Sequence, residues 1–210
     1  TQEDISLTID LSATDVDHET FSYSDFSFIV TSKDMSGILQ DPSNPSIDIS
    51  FVNGPYELLS HRVIYIPPPN FSSANESFSY HVIDASGLSS EDVSVNIVVE
   101  AVNDTPVAFA LTEITQGDIS LTIDLSASDV DHETFSYSDF SFVISSIDIS
   151  GSLHEPSNLS VSINAGTSGY ILSTHQVVYI PAENYHGSNS YFNYHVIDNV
   201  GTSSEDVSVN

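Results

Sequence analysis

Phe78-Ser79-Tyr80-His81-Val82-Ile83-Asp84 decides the fold. Phe78, Tyr80 and Val82 put large apolar side chains at alternate positions, which is the period of a strand with one buried face. Tyr80-His81-Val82-Ile83-Asp84 returns as Tyr194 to Asp198, and 194 − 80 = 114. The strand is therefore one part of a repeated unit.

The same spacing holds on either side of it. Asp4-Ile5-Ser6-Leu7-Thr8-Ile9-Asp10 returns from Asp118 to Asp124, His18 to Phe26 returns from His132 to Phe140, and Ser89 to Asn96 returns from Ser203 to Asn210. No insertion or deletion is needed, so the copies read as a recent duplication within a tandem array. Within a copy, alternation continues through Ile5, Leu7, Ile9 and Leu11, through Phe21 and Tyr23, and then Phe26 and Phe28. It goes on through Ile47 and Ile49, Val63 and Tyr65, and Val93, Val95 and Ile97, while helical periodicity is absent. Turn signals separate these runs, among them Asp41-Pro42-Ser43-Asn44-Pro45, Asn53-Gly54-Pro55 and Ala85-Ser86-Gly87. Short strands parted by such turns predict an all-β chain of two tandem immunoglobulin-like antiparallel sandwiches in a linear array.

The expected division is residues 1–102, a linker at 103–106 and residues 107–210. By the repeat phase, the first copy is expected to lack its first strand and the second copy the end of its last, the counterpart of Ile97-Val98-Val99-Glu100. The chain is thus expected to be a fragment whose export signal and anchor lie elsewhere.

Composition narrows the function classes. Thirty acidic residues stand against two basic ones, Lys33 and Arg62, for a net charge of −28. Such a polyanion does not bind nucleic acid or an anionic membrane surface through its own charge. A hydrophobic content of 40% is nonetheless too high for a disordered acidic tail, so the chain should fold with cations moderating its self-repulsion. It has no cysteine, which excludes disulfides, thiolate nucleophiles and zinc–thiolate sites. No apolar run reaches the ~18–20 residues of a membrane span.

Between the copies lies Val102-Asn103-Asp104-Thr105-Pro106. Pro106 has no N–H and biases Thr105 toward an extended conformation, so the stretch reads as a hinge. Asn103 and Asp104 offer hard oxygen atoms there, and Asp129-Val130-Asp131 adds two carboxylates at alternate positions, as Asp15-Val16-Asp17 does in the first copy. Ca²⁺ takes roughly 6–8 such oxygens in flexible geometry.

The order of these features resembles the cadherin-like tandem repeats of large bacterial surface adhesins. The residues that carry the resemblance are Ile9-Asp10-Leu11-Ser12-Ala13, Asp15-Val16-Asp17, Tyr65-Ile66-Pro67, Phe78 to Asp84 and Val102 to Pro106. The resemblance implies Ca²⁺ held at each junction by Asn103 and Asp104, by Asp129 and Asp131, and by Asp198. Asp15, Asp17 and Asp84 would be the matching set in the first copy. Glu113 stands near where cadherins place a further acidic ligand. His18 and His132 depart from the family, which often has Gly there. The linker has fewer acidic residues than that of animal cadherins, which implies one ion per junction.

Other constellations carry little chemistry. His81 and His195 alternate out of phase with the apolar residues and are expected on the solvent face. Ser60-His61 becomes Thr174-His175, which does not keep a serine nucleophile beside the histidine. The chain is expected not to be an enzyme. Two functional readings stand: a Ca²⁺-rigidified extender of an extracellular, cell-surface adhesin or filament, or a carbohydrate- or protein-binding sandwich module appended to an extracellular enzyme. The expected partners are neighbouring repeats of the same chain, with cell-surface glycans or proteins met through other domains, and neither nucleic acid nor direct membrane insertion.

Overall fold

The alternation around Tyr80 builds the longest strand of the chain, Ser73–Asp84, whose residues from Glu76 to Val82 alternate between buried and half-buried. The computed structural model describes residues 1–16, 22–132, 136–188 and 190–210. They form two units, Thr1–Val102 and Asn103–Asn210.

In the first unit the strands are β1 (Leu7–Asp10), β2 (Phe26–Asp34), β3 (Ile38–Asp41), β4 (Asn44–Asp48), β5 (Tyr56–Glu57), β6 (Arg62–Ile66), β7 (Ser73–Asp84) and β8 (Val93–Val99). They make two antiparallel sheets, ordered β1-β6-β3-β4 and β5-β2-β7-β8. Leu39, Val63 and Tyr65 from one sheet meet Phe28, Val30 and Phe78 from the other in a single buried core. Burying aliphatic and aromatic side chains at about 25 cal/mol per Å² is the main force holding the sheets together. A register shift between Val30 and Ser32 bends β2, and Phe28, Ile29 and Val30 are all buried beside it.

The second unit contains β9 (Val107–Ala108), β10 (Leu121–Asp124), β11 (Ala127–Ser128), β12 (Phe140–Asp148), β13 (Gly151–Glu155), β14 (Asn158–Ser162), β15 (Tyr170–Ile171), β16 (Gln176–Pro181), β17 (Tyr191–Asp198) and β18 (Val207–Val209). Its sheets run β10-β16-β13-β14 and β15-β12-β17-β18, with β9 paired to β11 beside them. The strand β12 shifts register between Ile144 and Ser146, the place where β2 does so in the first unit. The fold is all-β and immunoglobulin-like, as the alternation predicts.

Two buried tyrosines tie the loops down. Tyr80 donates its hydroxyl to the Ser12 carbonyl at 2.9 Å, and Tyr194 donates to the carbonyls of Phe109 and Ser126 at 2.6 and 2.9 Å. A buried phenol needs such a partner, and here it fixes where the chain enters the sheet. Burial pushes the Tyr194 pKa up, against the hydrogen bonds.

The alternation misleads at Tyr23. Phe21 lies outside the described residues, and Tyr23–Asp25 forms a 3₁₀ turn, not a strand. Ser22 and Ser24 bond each other through their hydroxyls at 2.7 Å, and the Asp25 N–H donates to the Ser22 carbonyl at 3.1 Å. Such local bonds draw serine-rich backbone away from a sheet ladder. Ile5, Ile47 and Val93 are about half exposed, although alternation assigns them inward faces.

Candidate metal centre

Asp198 ends β17 and faces a tight turn. Its Oδ1 accepts from the backbone N–H groups of Val200, Gly201 and Thr202 at 2.9, 2.6 and 2.7 Å. Its Oδ2 accepts from the Asn103 side-chain amide at 2.8 Å. Burial raises the Asp198 pKa, but the donors from Asn103 and the turn outweigh it and leave the carboxyl below its ordinary value. The Asn103 Nδ2 also faces the Thr202 hydroxyl and the Asp104 carbonyl, each at 2.9 Å. With oxygens on all these sides, the nitrogen of the amide belongs there and not its oxygen.

The Asp-x-Asp triplet sits in the loop after β11. Asp131 donates its N–H to Asp129 Oδ1 at 3.1 Å, and its own Oδ2 accepts from the Asp104 N–H at 2.7 Å. The carboxylate oxygens of Asp104 and Asp131 lie within 4.8 Å of one another. The Asp129 side chain is fully buried, 0% exposed. Among the described residues its Oδ2 has no hydrogen-bond partner, and the facing His132 Nδ1, also without one, is 3.7 Å away. A buried, unmatched carboxylate oxygen is costly unless a cation or proton meets it.

Five expected ligands thus come together at the start of the second unit: Asn103 and Asp198 brace each other, while Asp104, Asp129 and Asp131 present carboxylates. The donor set is all oxygen, which fits a hard cation such as Ca²⁺. Thr202 completes the bracing and is not part of the expected set. It stands where the first copy has Leu88, so the substitution between copies is the signal that points to it.

In the first unit Asp84 holds the corresponding turn. Asp84 accepts from the N–H groups of Ser86 and Leu88 at 2.8 Å each and from the Ser86 hydroxyl. The Leu88 N–H first, then the Ser86 hydroxyl, lower its pKa. Asp15 is half-buried in the loop after β1, and Asp17 lies outside the described residues. Glu113 is exposed, with its N–H bonded to the Asn210 carbonyl at 2.8 Å.

His61, His175, His81 and His195 have packing or hydrogen-bonding partners. His61 stacks on Tyr23 and His175 on Tyr137, with ring centroids 3.5 Å apart in both units. His81 and His195 are half-buried and bond Asp92 and Asp206 at 2.9 Å. No helix among the described residues is long and apolar enough to cross a membrane.

Three solved structures illustrate what the chain is similar to. An endo-fucoidan hydrolase of glycoside hydrolase family 107 is 15% identical with a TM-score of 0.32, over 89% of this chain and 23% of that one. The chain therefore spans less than a quarter of that enzyme's length. The fibronectin(III)-like modules of Clostridium thermocellum CbhA are 12% identical with a TM-score of 0.27, over 99% of this chain and 85% of theirs. Drosophila N-cadherin EC1-3 is 12% identical with a TM-score of 0.31, over 93% of this chain and 56% of that one. Comparison with curated proteins finds no match. Residues 103–210, more than half of the sequence, match the bacterial Ig domain family, and the chain belongs to that family.

Proposed function

We propose that the chain is a structural, non-catalytic extender segment of an extracellular, cell-surface adhesin or filament, stiffened by Ca²⁺ bound at the linker. The observation that carries the reading is the Asp129 carboxylate, fully buried with one oxygen unmatched, beside Asp131 and the linker residue Asp104. Asn103 follows directly on Val102, so a cation that fixes Asn103 and Asp104 fixes the conformation of the connection. Copies at a constant 114-residue spacing suit a spacer, which needs number more than individuality. The net charge of −28 supplies a further reason for cation binding, since bound cations offset self-repulsion.

Asp104, Asp129 and Asp131 would hold the ion, while Asp198 and Asn103 keep the turn and the linker in place. The ion would supply counter-charge to carboxylates that otherwise repel one another. Extracellular Ca²⁺ modules bind at about 10⁻⁴–10⁻³ M. At ten times that dissociation constant the gain is about 1.4 kcal/mol, visible in melting but not decisive for folding. The test is a melting curve of the chain in EDTA and in several millimolar Ca²⁺, with amide spectra recorded in parallel. The expected result is a higher Tm in Ca²⁺ and shifted resonances for Asp104, Asp129 and Asp131. An unchanged Tm with unchanged resonances would sink the Ca²⁺ reading.

A further inference from the structure

Asn53-Gly54 lies in the turn that leads into β5 of the first unit, and the metal reading does not use it. Val52 and Asn53 are exposed there, and the Gly54 N–H closes the turn onto the Phe51 carbonyl at 3.1 Å. Gly54 has a φ of +103°, and a Cβ built on it would meet nothing within 4 Å. The turn therefore sets an exposed carboxamide beside a backbone nitrogen with open space around it.

A bond from the nitrogen of the following residue to the asparagine Cγ closes a small ring of Cγ, Cβ, Cα, carbonyl carbon and nitrogen. A side chain on that following residue crowds the approach, and glycine has none. Asn53 is the one asparagine in the sequence that glycine follows. Asn44 precedes Pro45, whose nitrogen carries no hydrogen. Asn158 and Asn164 precede Leu159 and Ala165, and their Oδ1 atoms are held by the N–H groups of Ser160 and Gly166 at 3.2 and 3.0 Å. At the 114-residue spacing the second unit has Thr167-Ser168 in place of Asn53-Gly54, so it lacks the carboxamide altogether.

We propose that Asn53 is a site of spontaneous deamidation that ages the first unit and not the second. Solvent hydroxide takes the Gly54 N–H proton, and the nitrogen lone pair forms a bond to the Asn53 Cγ. The carboxamide nitrogen takes a proton from water and leaves as ammonia. Water then opens the resulting succinimide at either carbonyl, leaving aspartate or isoaspartate at position 53. The net change is carboxamide plus water to carboxylic acid plus ammonia, with nothing oxidised or reduced. Because the Gly54 N–H must first leave the Phe51 carbonyl, the rate follows the opening of the turn. Either product adds a negative charge at neutral pH. Isoaspartate also inserts a carbon into the backbone, just before Tyr56 and Glu57 pair with Val30 and Ile29.

The test holds the full folded chain in ¹⁸O-labelled water at mildly alkaline pH and follows its peptides by mass spectrometry. Trypsin cuts after Lys33 and Arg62, the two basic residues, and releases residues 34–62 as one peptide that contains Asn53. That peptide should gain the mass of the amide-to-acid exchange with ¹⁸O incorporated, at least about tenfold faster than any other asparagine, a barrier difference of ~1.4 kcal/mol. Fragmentation should place the change at position 53 and show both products. Gly54→Ala should slow the gain about tenfold, the same barrier difference. Asn53→Thr, which copies the second unit and needs no change at the glycine, should abolish it. Faster reaction at another asparagine, or an undiminished rate in Gly54→Ala, would overturn the proposal. So would a mass gain that the peptide shows only after the chain is unfolded in urea, since the folded turn would then be inert.

Discussion

Tyr65 and Tyr179 occupy matching places in the two units, and the group that meets the neighbouring serine N–H differs between them. Tyr65 donates to the Ser36 carbonyl at 2.8 Å and Tyr179 to the Ser150 carbonyl at 2.7 Å. The N–H of Ser36 is met by the buried carboxylate of Glu76, and that of Ser150 by the hydroxyl of Ser190 at 3.0 Å. In the first unit, burial and the neighbouring Glu76 push the Tyr65 pKa up to about 12. An acceptor also stands at matching places in β3 and β13, and there it is a carboxylate in both units. Asp41 accepts from the N–H groups of Ser43 and Leu59, and Glu155 in the second unit accepts from the N–H and hydroxyl of Ser173. What the fold demands at these places is an acceptor for a backbone N–H, and the charge of that acceptor is free to vary.

The largest expected effect tests what the units share. Gly37 and Gly151 have φ of +112° and +135°. A Cβ at either would stand 2.5 Å from the Ile66 carbonyl oxygen or 2.2 Å from that of Ile180. Gly151→Ala should therefore cost about 3 kcal/mol, and Gly37→Ala about as much, from positive-φ strain and backbone clash combined. Urea denaturation of each variant checks this. A cost below ~1 kcal/mol at either site would show that the backbone relaxes freely there.

Glu76→Ala probes the difference between the units. It leaves the Ser36 N–H without its acceptor and should cost about 2 kcal/mol, whereas Glu76→Ser, which copies the second unit, should recover about half of that. If serine proves as damaging as alanine in the same denaturation series, the carboxylate has a role of its own and the comparison above fails.

The strand faces around Phe28, Val63, Tyr65, Phe78, Tyr80 and Val82 were legible in sequence because alternation and apolar size report burial directly. Tyr23 misled because alternation cannot weigh Ser22 and Ser24, whose hydroxyl bond favours a turn. The five residues that converge at the start of the second unit could be named from the linker, the Asp-x-Asp triplet and the family resemblance. Their division of labour could not. Asp198 offers the same carboxylate as Asp129 in sequence, and only the turn at Val200 to Thr202 shows that its Oδ1 is occupied by N–H groups. Glu76, Asp41 and Glu155 as buried acceptors left no mark in the pattern, since a polar residue between apolar ones reads as solvent-facing.

The Ca²⁺ reading separates the units next. Asp129→Ala with Asp131→Ala should abolish the ~1.4 kcal/mol Ca²⁺-dependent gain while leaving both units folded, because the two residues lie in a loop outside the paired strands. The Asp104 amide, which donates to Asp131 Oδ2, should exchange faster in the variant. Asp15→Ala, the corresponding change in the first unit, should leave the Ca²⁺ response of Asp104 and Asp131 intact. A melting series with and without Ca²⁺ decides it, and a Ca²⁺ gain that survives the double substitution would place the ion elsewhere.

The smallest effect concerns the turn carboxylates. Asp84 and Asp198 both have pKa values held below the ordinary carboxylate, Asp84 by the Leu88 N–H and Ser86, and Asp198 by Asn103 and the turn N–H groups against an opposing effect of burial. A depressed folded-state pKa stabilises the folded form at pH above the unfolded value of about 3.9, and the contribution is lost as pH falls through the folded value. Stability should therefore be flat near neutrality from this source and decline below about pH 4. For Asp198 the loss should be modest, because burial opposes the hydrogen bonds that lower its pKa. Asp198→Asn keeps an acceptor oxygen for the turn but turns an N–H₂ group toward other donors, so it should reduce stability slightly at pH 7 and flatten the acid limb. Asp84→Asn should do the same in the first unit without touching the linker. Amide exchange at Asp104 distinguishes them: Asn103 bonds Asp198 and not Asp84, so only the Asp198 variant should speed that exchange. Equal acceleration by both variants would mean that the turn carboxylates act through general charge and that the brace from Asn103 to Asp198 does not hold the linker.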